Sequence, residues 1–117
     1  MINVARLPEE IITTVLALQR QLLERLDKAT ATEFELLTQY GETEATLREF
    51  DILQNVKERV NTYYTRFYTT LRRIYEAQPF ASRDTLELLA RFIDEAEATT
   101  AATDATIREI RRDFNLP

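Results

Sequence analysis

The strongest constraint on this chain is the spacing of apolar and small residues in its last third. They recur at alternating steps of three and four: Leu86, Leu89, Ile93, Ala96, Thr100, Thr103, Ile107, Ile110 and Phe114. This spacing keeps one stripe of an α-helix turned toward a neighbour, and it does not fit the two-residue period of a strand. We therefore predict a helix from about residue 83 to 114, with Ser82 as its N-cap.

A second helix is predicted over residues 44–77. Its apolar residues lie three apart up to Val56, and from Val60 onward the steps alternate between four and three: Leu47, Phe50, Leu53, Val56, Val60, Tyr64, Phe67, Leu71 and Ile74. The pair Gln78-Pro79 ends this run, because the residue before a proline is pushed out of the helical region.

A first helix is predicted over residues 8–40. Pro8 suits a first helical turn, and the acids Glu9 and Glu10 complement the positive end of a helix dipole. Its apolar residues form one broad face, whose width suits burial against two neighbouring helices: Ile11, Ile12, Val15, Leu16, Leu18, Leu22, Leu23, Leu26, Ala29, Phe34, Leu36, Leu37 and Tyr40. Thr32 and Glu35 fit a capping box, so a break near Thr32 would give four helices instead of three.

The fold class follows from the short connections between these helices. Gly41, the only glycine, stands where a C-terminal cap in the left-handed conformation is expected, and Gly41 to Thr43 form a turn. Since connections of a few residues cannot return the chain to the far end, consecutive helices must be antiparallel. We predict an all-α protein, an elongated antiparallel three-helix bundle that forms a single domain over residues 1–117.

The segment VNTYYTRFYTTLRRIY, residues 60–75, is unusually rich in aromatic residues and arginines. Its rings fall on one arc of about 140°, at 100° per residue, while Arg66 and Arg73 lie nearly opposite. A nucleic-acid surface would bring rings and cations together, and the net charge of −5 opposes binding to phosphate backbones or anionic lipid. This pattern favours a core, with no nucleic acid and no membrane as partners.

In an antiparallel pair the large residues of the second helix face the small ones of the third. We expect Tyr64 to form a hydrogen-bonded layer with Thr100 or Thr103, because a buried hydroxyl needs a partner. The alternative is a pocket between these two helices that binds a small ligand. A third interpretation is that Ala98, Ala101, Ala102 and Ala105 permit close approach of another subunit's helix.

The residue inventory argues against catalysis. The chain has no histidine and no cysteine, and its single serine, Ser82, is better explained as a helix cap. One glycine cannot make a phosphate-binding loop. We therefore expect a protein that is not an enzyme and that holds no cofactor and no metal.

The charged residues fall into clusters that we interpret mainly as solvated faces. The acids are Asp94, Glu95 and Glu97 in one group and Glu42, Glu44, Glu49 and Asp51 in another; Glu33 alone lies near the centre of an apolar face. We expect Arg108, Arg111 and Arg112 to neutralise the acidic turn at 42–51, with a phosphate or an acidic partner as the alternative. Near the other end, Arg66, Arg72, Arg73 and Arg83 face Glu76, Asp84 and Glu87 and form the best candidate basic patch.

These observations favour a noncatalytic helical interaction protein, an adaptor or regulatory subunit that self-associates through helix faces and binds a protein partner. The alternative is a bundle that binds a small ligand in the tyrosine and threonine layer between the second and third helices. Candidate contact residues for a ligand or partner are Tyr63, Tyr64, Tyr68, Thr100, Thr103, Arg66, Arg72, Arg73 and Arg83. No targeting segment or membrane span is evident in the sequence, so we expect a cytoplasmic location.

Overall fold

Three long helices make up nearly all of the computed structural model, which describes residues 7–77 and 79–117. Helix α1 is Glu9–Tyr40, α2 is Glu44–Glu76 and α3 is Arg83–Asp113. Each helix packs against both others, and the bundle measures 61 × 19 × 17 Å. The predicted all-α three-helix bundle and its helix boundaries are confirmed to within about one residue.

Helix α1 runs unbroken through Thr32, so the three-helix form of the prediction holds and the four-helix form is wrong. The Thr32 hydroxyl does not cap a new helix: it donates to the carbonyl of Lys28, 2.8 Å away on its own helix, and accepts from Arg111 Nη1 at 2.9 Å. Glu35, which would have completed the capping box, binds the same arginine. Long-range contacts with α3 therefore replace the local capping interaction that the sequence suggested.

The first turn is built from Gly41 and two threonines. Gly41 has φ 72° and ψ −177°, a combination that only glycine adopts without strain, and its N–H donates to the carbonyls of Leu36 and Leu37. Thr46 closes the turn, because its hydroxyl donates to the Gly41 carbonyl at 2.7 Å and accepts from the Thr43 N–H at 3.0 Å. The predicted glycine cap is confirmed in position, although its ψ is not that of a left-handed helix.

The second connection begins at Ala77 and leads into α3 at Ser82. The Ser82 hydroxyl accepts from the Thr85 N–H at 3.1 Å, so the predicted N-cap is confirmed. Ala77 itself is extended, with ψ 126°, and its N–H donates to carbonyls in the last turn of α2. Gln78, the residue predicted to end the helix, lies outside the described residues.

The core runs the length of the bundle and mixes apolar side chains with threonines. Its largest fully buried apolar members are Phe67, Leu22, Leu36, Leu53, Ile74, Ile107, Val15 and Val60, and the buried threonines are Thr32, Thr46, Thr70, Thr99, Thr100 and Thr103. A buried hydroxyl must find an acceptor, and a helix interior offers one at the carbonyl three or four residues back. Thr100 donates to Glu97 and Thr103 to Thr99 in this way.

The predicted hydrogen-bonded layer between Tyr64 and these threonines is not formed within the described residues. Thr100 and Thr103 face the core as expected, but their hydroxyls donate to carbonyls of their own helix. Tyr64 is only half-buried and packs against the edge of the core. Large residues on α2 and small ones on α3 still fill the space between them, because Phe67 and Ala96 are both fully buried.

Candidate functional site

The covered face of α1 is bounded on each side by polar contacts to a neighbouring helix. On the α2 side, Lys57 Nζ binds Glu33 Oε1 at 2.7 Å, and both side chains are about three quarters buried. On the α3 side, Arg25 Nε donates to the Thr100 carbonyl at 3.1 Å and lies 3.8 Å from Asp104. Between these two borders lie the buried core residues of α1.

Five large apolar side chains of α1 lie outside the covered face; the ring of Tyr40 packs edge-on against Phe114, and the other four have no such partner ring among the described residues. Leu16 is 55% exposed, Leu23 48%, Phe34 69% and Leu37 52%. We call these four residues the outer row. Our prediction that two neighbouring helices would bury the whole apolar face of α1 is wrong, because that face is wider than the two neighbours cover.

The four residues of the outer row lie on one side of α1 in two pairs, Leu16 with Leu23 and Phe34 with Leu37. Leu16 and Phe34 are 18 residues apart, which is about five helical turns, so they point in the same direction. Leu23 and Leu37 lie within about 60° of that direction, and the row extends for about 32 Å. Single exposed leucines are ordinary on a protein surface, whereas several large apolar residues aligned on one side of a helix are typical of a contact surface.

Two charged side chains, Arg20 and Asp27, stand within the outer row. Together with Thr30 they complete alternating steps of four and three along the helix between the four apolar members. The Arg20 side chain is 83% exposed, and its Nε lies 3.8 Å from Glu24 on the next turn. Asp27 is exposed as well. Polar and charged residues within a helix seam are a common means of setting the register of helix pairing.

The tyrosine and arginine candidates from α2 divide into separate local clusters. Tyr63 donates its hydroxyl to Glu95 Oε1 at 3.1 Å, and Arg66 lies 3.9 Å from the same carboxylate. The Arg66 guanidinium is also 5.2 Å from the centre of the Tyr63 ring and 5.4 Å from that of Phe92. Arg66 therefore sits among rings and a carboxylate of its own chain.

Nearer the end of α2, Arg72 donates to Glu76 at 2.9 Å and lies 5.8 Å from the Tyr68 ring. The hydrogen bond to Glu76 raises the pKa of Arg72 above its ordinary value, with the negative charge of Glu76 as the second cause. On α3, Arg83 lies 3.8 Å from Glu87. These pairs are exposed and contribute little to stability, so the predicted basic patch is largely neutralised in place.

Arg73 belongs to a shallow groove between α2 and α3. The groove holds about 190 Å³ and is lined by Thr65, Arg66, Thr69, Thr70, Arg73, Leu88 and Phe92. It brings together two of the predicted arginines, but not the other candidates. Tyr64, Thr100 and Thr103 lie in or beside the core instead, so the nine candidates do not form one site.

Two further grooves lie elsewhere on the bundle. One, of about 200 Å³, is lined by Leu7, Ile11, Leu86, Leu89, Ala90 and Ile93. The other, of about 300 Å³, lies between the start of α2 and the end of α3 and is lined by Arg48, Glu49, Ile52, Thr106, Glu109, Ile110 and Asp113. In the second, Glu49 Oε2 is buried and has no hydrogen-bond partner among the described residues. None of these three grooves is lined by the predicted Tyr64 and threonine layer.

The arginines at the end of α3 bind carboxylates other than those predicted. Arg111 reaches α1, where it contacts Thr32 and Glu35, and it also contacts the carbonyl of Pro117. Arg108 binds Asp104 on its own helix at 3.0 Å. The ion pair between these arginines of α3 and another helix is therefore made with Glu35 of α1 and not with the acidic turn at 42–51. Glu49 in that turn lies beside two further acids of α3, Glu109 and Asp113.

Within residues 7–77 and 79–117, no group of three or more acidic residues is arranged to hold a metal ion. No helix in the same part of the chain is long and apolar enough to span a bilayer. Comparison of the sequence and fold with protein-family models, curated proteins and solved structures found no significant match. The function of this chain must therefore be inferred from the chemistry of its surface.

Sequence reasoning placed the four residues of the outer row in the core and omitted them from the candidate contacts. The signal that could have identified them is the width of the apolar face of α1. A helix that packs against two neighbours needs a limited apolar arc, and α1 carries apolar residues well beyond it. Leu16 and Phe34 stand at the far edge of that arc.

Proposed function

We propose that this chain is a noncatalytic interaction protein, an adaptor or regulatory subunit that self-associates through a helix face. The observation that carries this proposal is the outer row of α1. A folded bundle that has already buried its core still presents four large apolar side chains on one side of α1, spread over about 32 Å and interspersed with Arg20, Asp27 and Thr30.

The charge distribution on α1 supports the same proposal. The chain carries a net charge of −5, so two copies repel each other over most of their surfaces. Residues 11–32 of α1 are different, because they contain three basic residues, Arg20, Arg25 and Lys28, and two acidic ones, Glu24 and Asp27. Arg25 is paired with Asp104, which leaves this segment close to neutral. Further along α1, Glu33 and Glu35 are paired with Lys57 and Arg111. The outer row thus lies on a part of the surface where repulsion is weak.

The test is the solution mass, measured by light scattering over a concentration series from micromolar to near-millimolar chain. We expect the mass to rise from that of one chain toward an oligomer. Replacing Leu16 by serine should return the mass to that of one chain, since it removes an apolar member of the outer row without touching the core.

The matched control is Tyr68→Ser, because Tyr68 is exposed to the same degree as Leu16, at 56% against 55%, but lies on α2. We expect this variant to associate like the unmodified chain. Circular dichroism of both variants verifies that the helices persist. A chain that stays monomeric at the highest concentration would contradict the proposed self-association.

A further inference from the structure

We propose that the occupant of the outer row is a second copy of this chain, with the two α1 helices packed antiparallel about a two-fold axis. This inference rests on the proposed self-association and specifies its geometry. In this arrangement Leu16 of each copy packs against Phe34 of the other, and Arg20 of each copy binds Asp27 of the other.

The direction of pairing follows from the two charged residues in the row. Helices packed parallel and in register would place Arg20 against Arg20 and Asp27 against Asp27, and like charges directly across an interface are unfavourable. Antiparallel packing replaces both repulsions with attractions. Two equivalent ion pairs result from one sequence, as a two-fold interface requires.

The register follows from the apolar members. The residues along a helix seam occupy two alternating positions of a heptad, a and d, separated by steps of three and four. In an antiparallel pair, a residue at one of these positions packs against a residue at the other position of the second helix. One heptad position is occupied by Leu16, Leu23, Thr30 and Leu37. The other is occupied by Arg20, Asp27 and Phe34. Setting Leu16 opposite Phe34 places Arg20 opposite Thr30 of the second copy and Asp27 opposite Leu23. Arg20 and Asp27 of the two copies are then one layer apart, about 4.5 Å along the helix axis, which the long arginine side chain can span.

The borders of the row leave room for a helix to approach. On the flank away from α2, the positions next to the seam are Ala17, Glu24, Ala31 and Thr38, all of them exposed and two of them alanine. Small side chains there let two helix backbones lie close together. On the other flank, Leu26 is partly covered by the bundle and extends the apolar surface toward α2, where Glu33 is held by Lys57.

A charge-exchange experiment tests this arrangement. Arg20→Asp alone and Asp27→Arg alone each place like charges at both ion pairs of the dimer, and we expect each to raise the dissociation constant at least about tenfold. The chain that carries both changes recovers two attractive pairs and should associate like the unmodified protein. Arg91→Asp, which makes the same change of net charge as Arg20→Asp at an exposed position on α3, is the control for that variant and should leave association unchanged.

Cysteine cross-linking tests direction and register separately, without background, since the chain contains no cysteine. An equimolar mixture of Leu16→Cys and Phe34→Cys chains should form a disulfide-linked dimer on oxidation, while each variant alone should remain largely unlinked. Linkage of Leu16→Cys to itself would establish parallel packing and overturn the inference.

The outcomes separate this inference from the function on which it rests. A monomeric protein across the concentration series would overturn both. A protein that associates, but whose association is unchanged by either single charge reversal, retains the proposed function and overturns the α1 pairing. Loss of association in both single variants without recovery in the double variant would also overturn it, because the two residues would then not face each other.

Discussion

Helices α1 and α3 are of nearly equal length and occupy equivalent places, since each packs against the two other helices. They differ in what they present to solvent. None of the large apolar side chains of α3 is exposed, and Ala98, Ala101, Ala102 and Ala105 lie on its outer side. Helix α1 instead exposes the outer row. The bundle therefore does not require apolar residues on the outside of a helix, and those of α1 call for a separate explanation.

The largest expected effect distinguishes a covered apolar residue of α3 from an exposed one of α1. Ile107 is 1% exposed, so Ile107→Ala should lower the free energy of unfolding by about 2–5 kcal/mol through lost contacts and a residual cavity. Leu23→Ala should change it by about 0.5 kcal/mol or less. The measurement is urea unfolding at a concentration low enough to keep the chain monomeric. Equal losses would contradict the division between core and outer row.

The second prediction concerns how α3 is fastened to α1. Arg111→Ala removes the contacts to Thr32 and Glu35 and leaves a partly buried carboxylate without its cation, which should cost about 2 kcal/mol. Arg108→Ala is the control, because that side chain is 77% exposed and binds only within its own helix; we expect a loss of about 0.5 kcal/mol at most. Thermal unfolding of the two variants compares them. A smaller loss of stability for Arg111→Ala than for Arg108→Ala would contradict the role of Arg111 in holding α3 against α1.

The ends of the two helices give the third comparison. Gly41 ends α1 with φ 72°, and an added Cβ meets no atom within 4 Å, so Gly41→Ala should cost about 1–2 kcal/mol from backbone strain alone. After α3, Asn115 has φ 52°, which asparagine tolerates. Asn115→Gly should therefore change stability by only about a few tenths of a kcal/mol. A neutral Gly41→Ala in denaturant unfolding would show that the turn relaxes out of this conformation.

The last prediction compares the outer surfaces of α1 and α3 through self-association, because the two substitutions should have the smallest effect on folding. Leu23→Glu on α1 and Ala101→Glu on α3 each add an acid at an exposed position, so neither should change the free energy of unfolding by more than about 0.5 kcal/mol. Sedimentation velocity should nevertheless show that Leu23→Glu loses association and Ala101→Glu keeps it. The reverse result would move the interface to the alanines of α3, which is the third interpretation of the sequence.

The extent to which sequence predicted structure also differs between these helices. The apolar pattern of α3 matches what its two neighbours cover, so its boundaries, its N-cap at Ser82 and its buried positions followed from spacing alone. In α1 the same reasoning assigned Leu16 and Phe34 to the core, because periodicity identifies an apolar face but not how much of it the neighbours cover. Tyr68 and Tyr75 on α2 were misplaced for the same reason, since both are about half exposed.

Contacts between residues distant in sequence were the other limit. The suggested break at Thr32 followed correctly from a local capping pattern, but Arg111, 79 residues away, binds both members of that pattern. Likewise, Lys57 of α2 pairs with Glu33, the acid that the sequence placed near the centre of an apolar face without indicating a partner. Side-chain pairing between helices depends on their relative rotation, which the period of a single helix does not specify.

The central claim is that the outer row of α1 is covered by a second copy of the same chain. Nuclear Overhauser contacts between Leu16 methyl groups and the Phe34 ring test it most directly, measured with isotope filtering on a mixture of labelled and unlabelled chains. Within one chain these groups are about 27 Å apart along the helix, too far for any such contact. We predict that the contact appears between chains at concentrations where the protein associates. Its absence from a sample that is demonstrably dimeric would contradict the account.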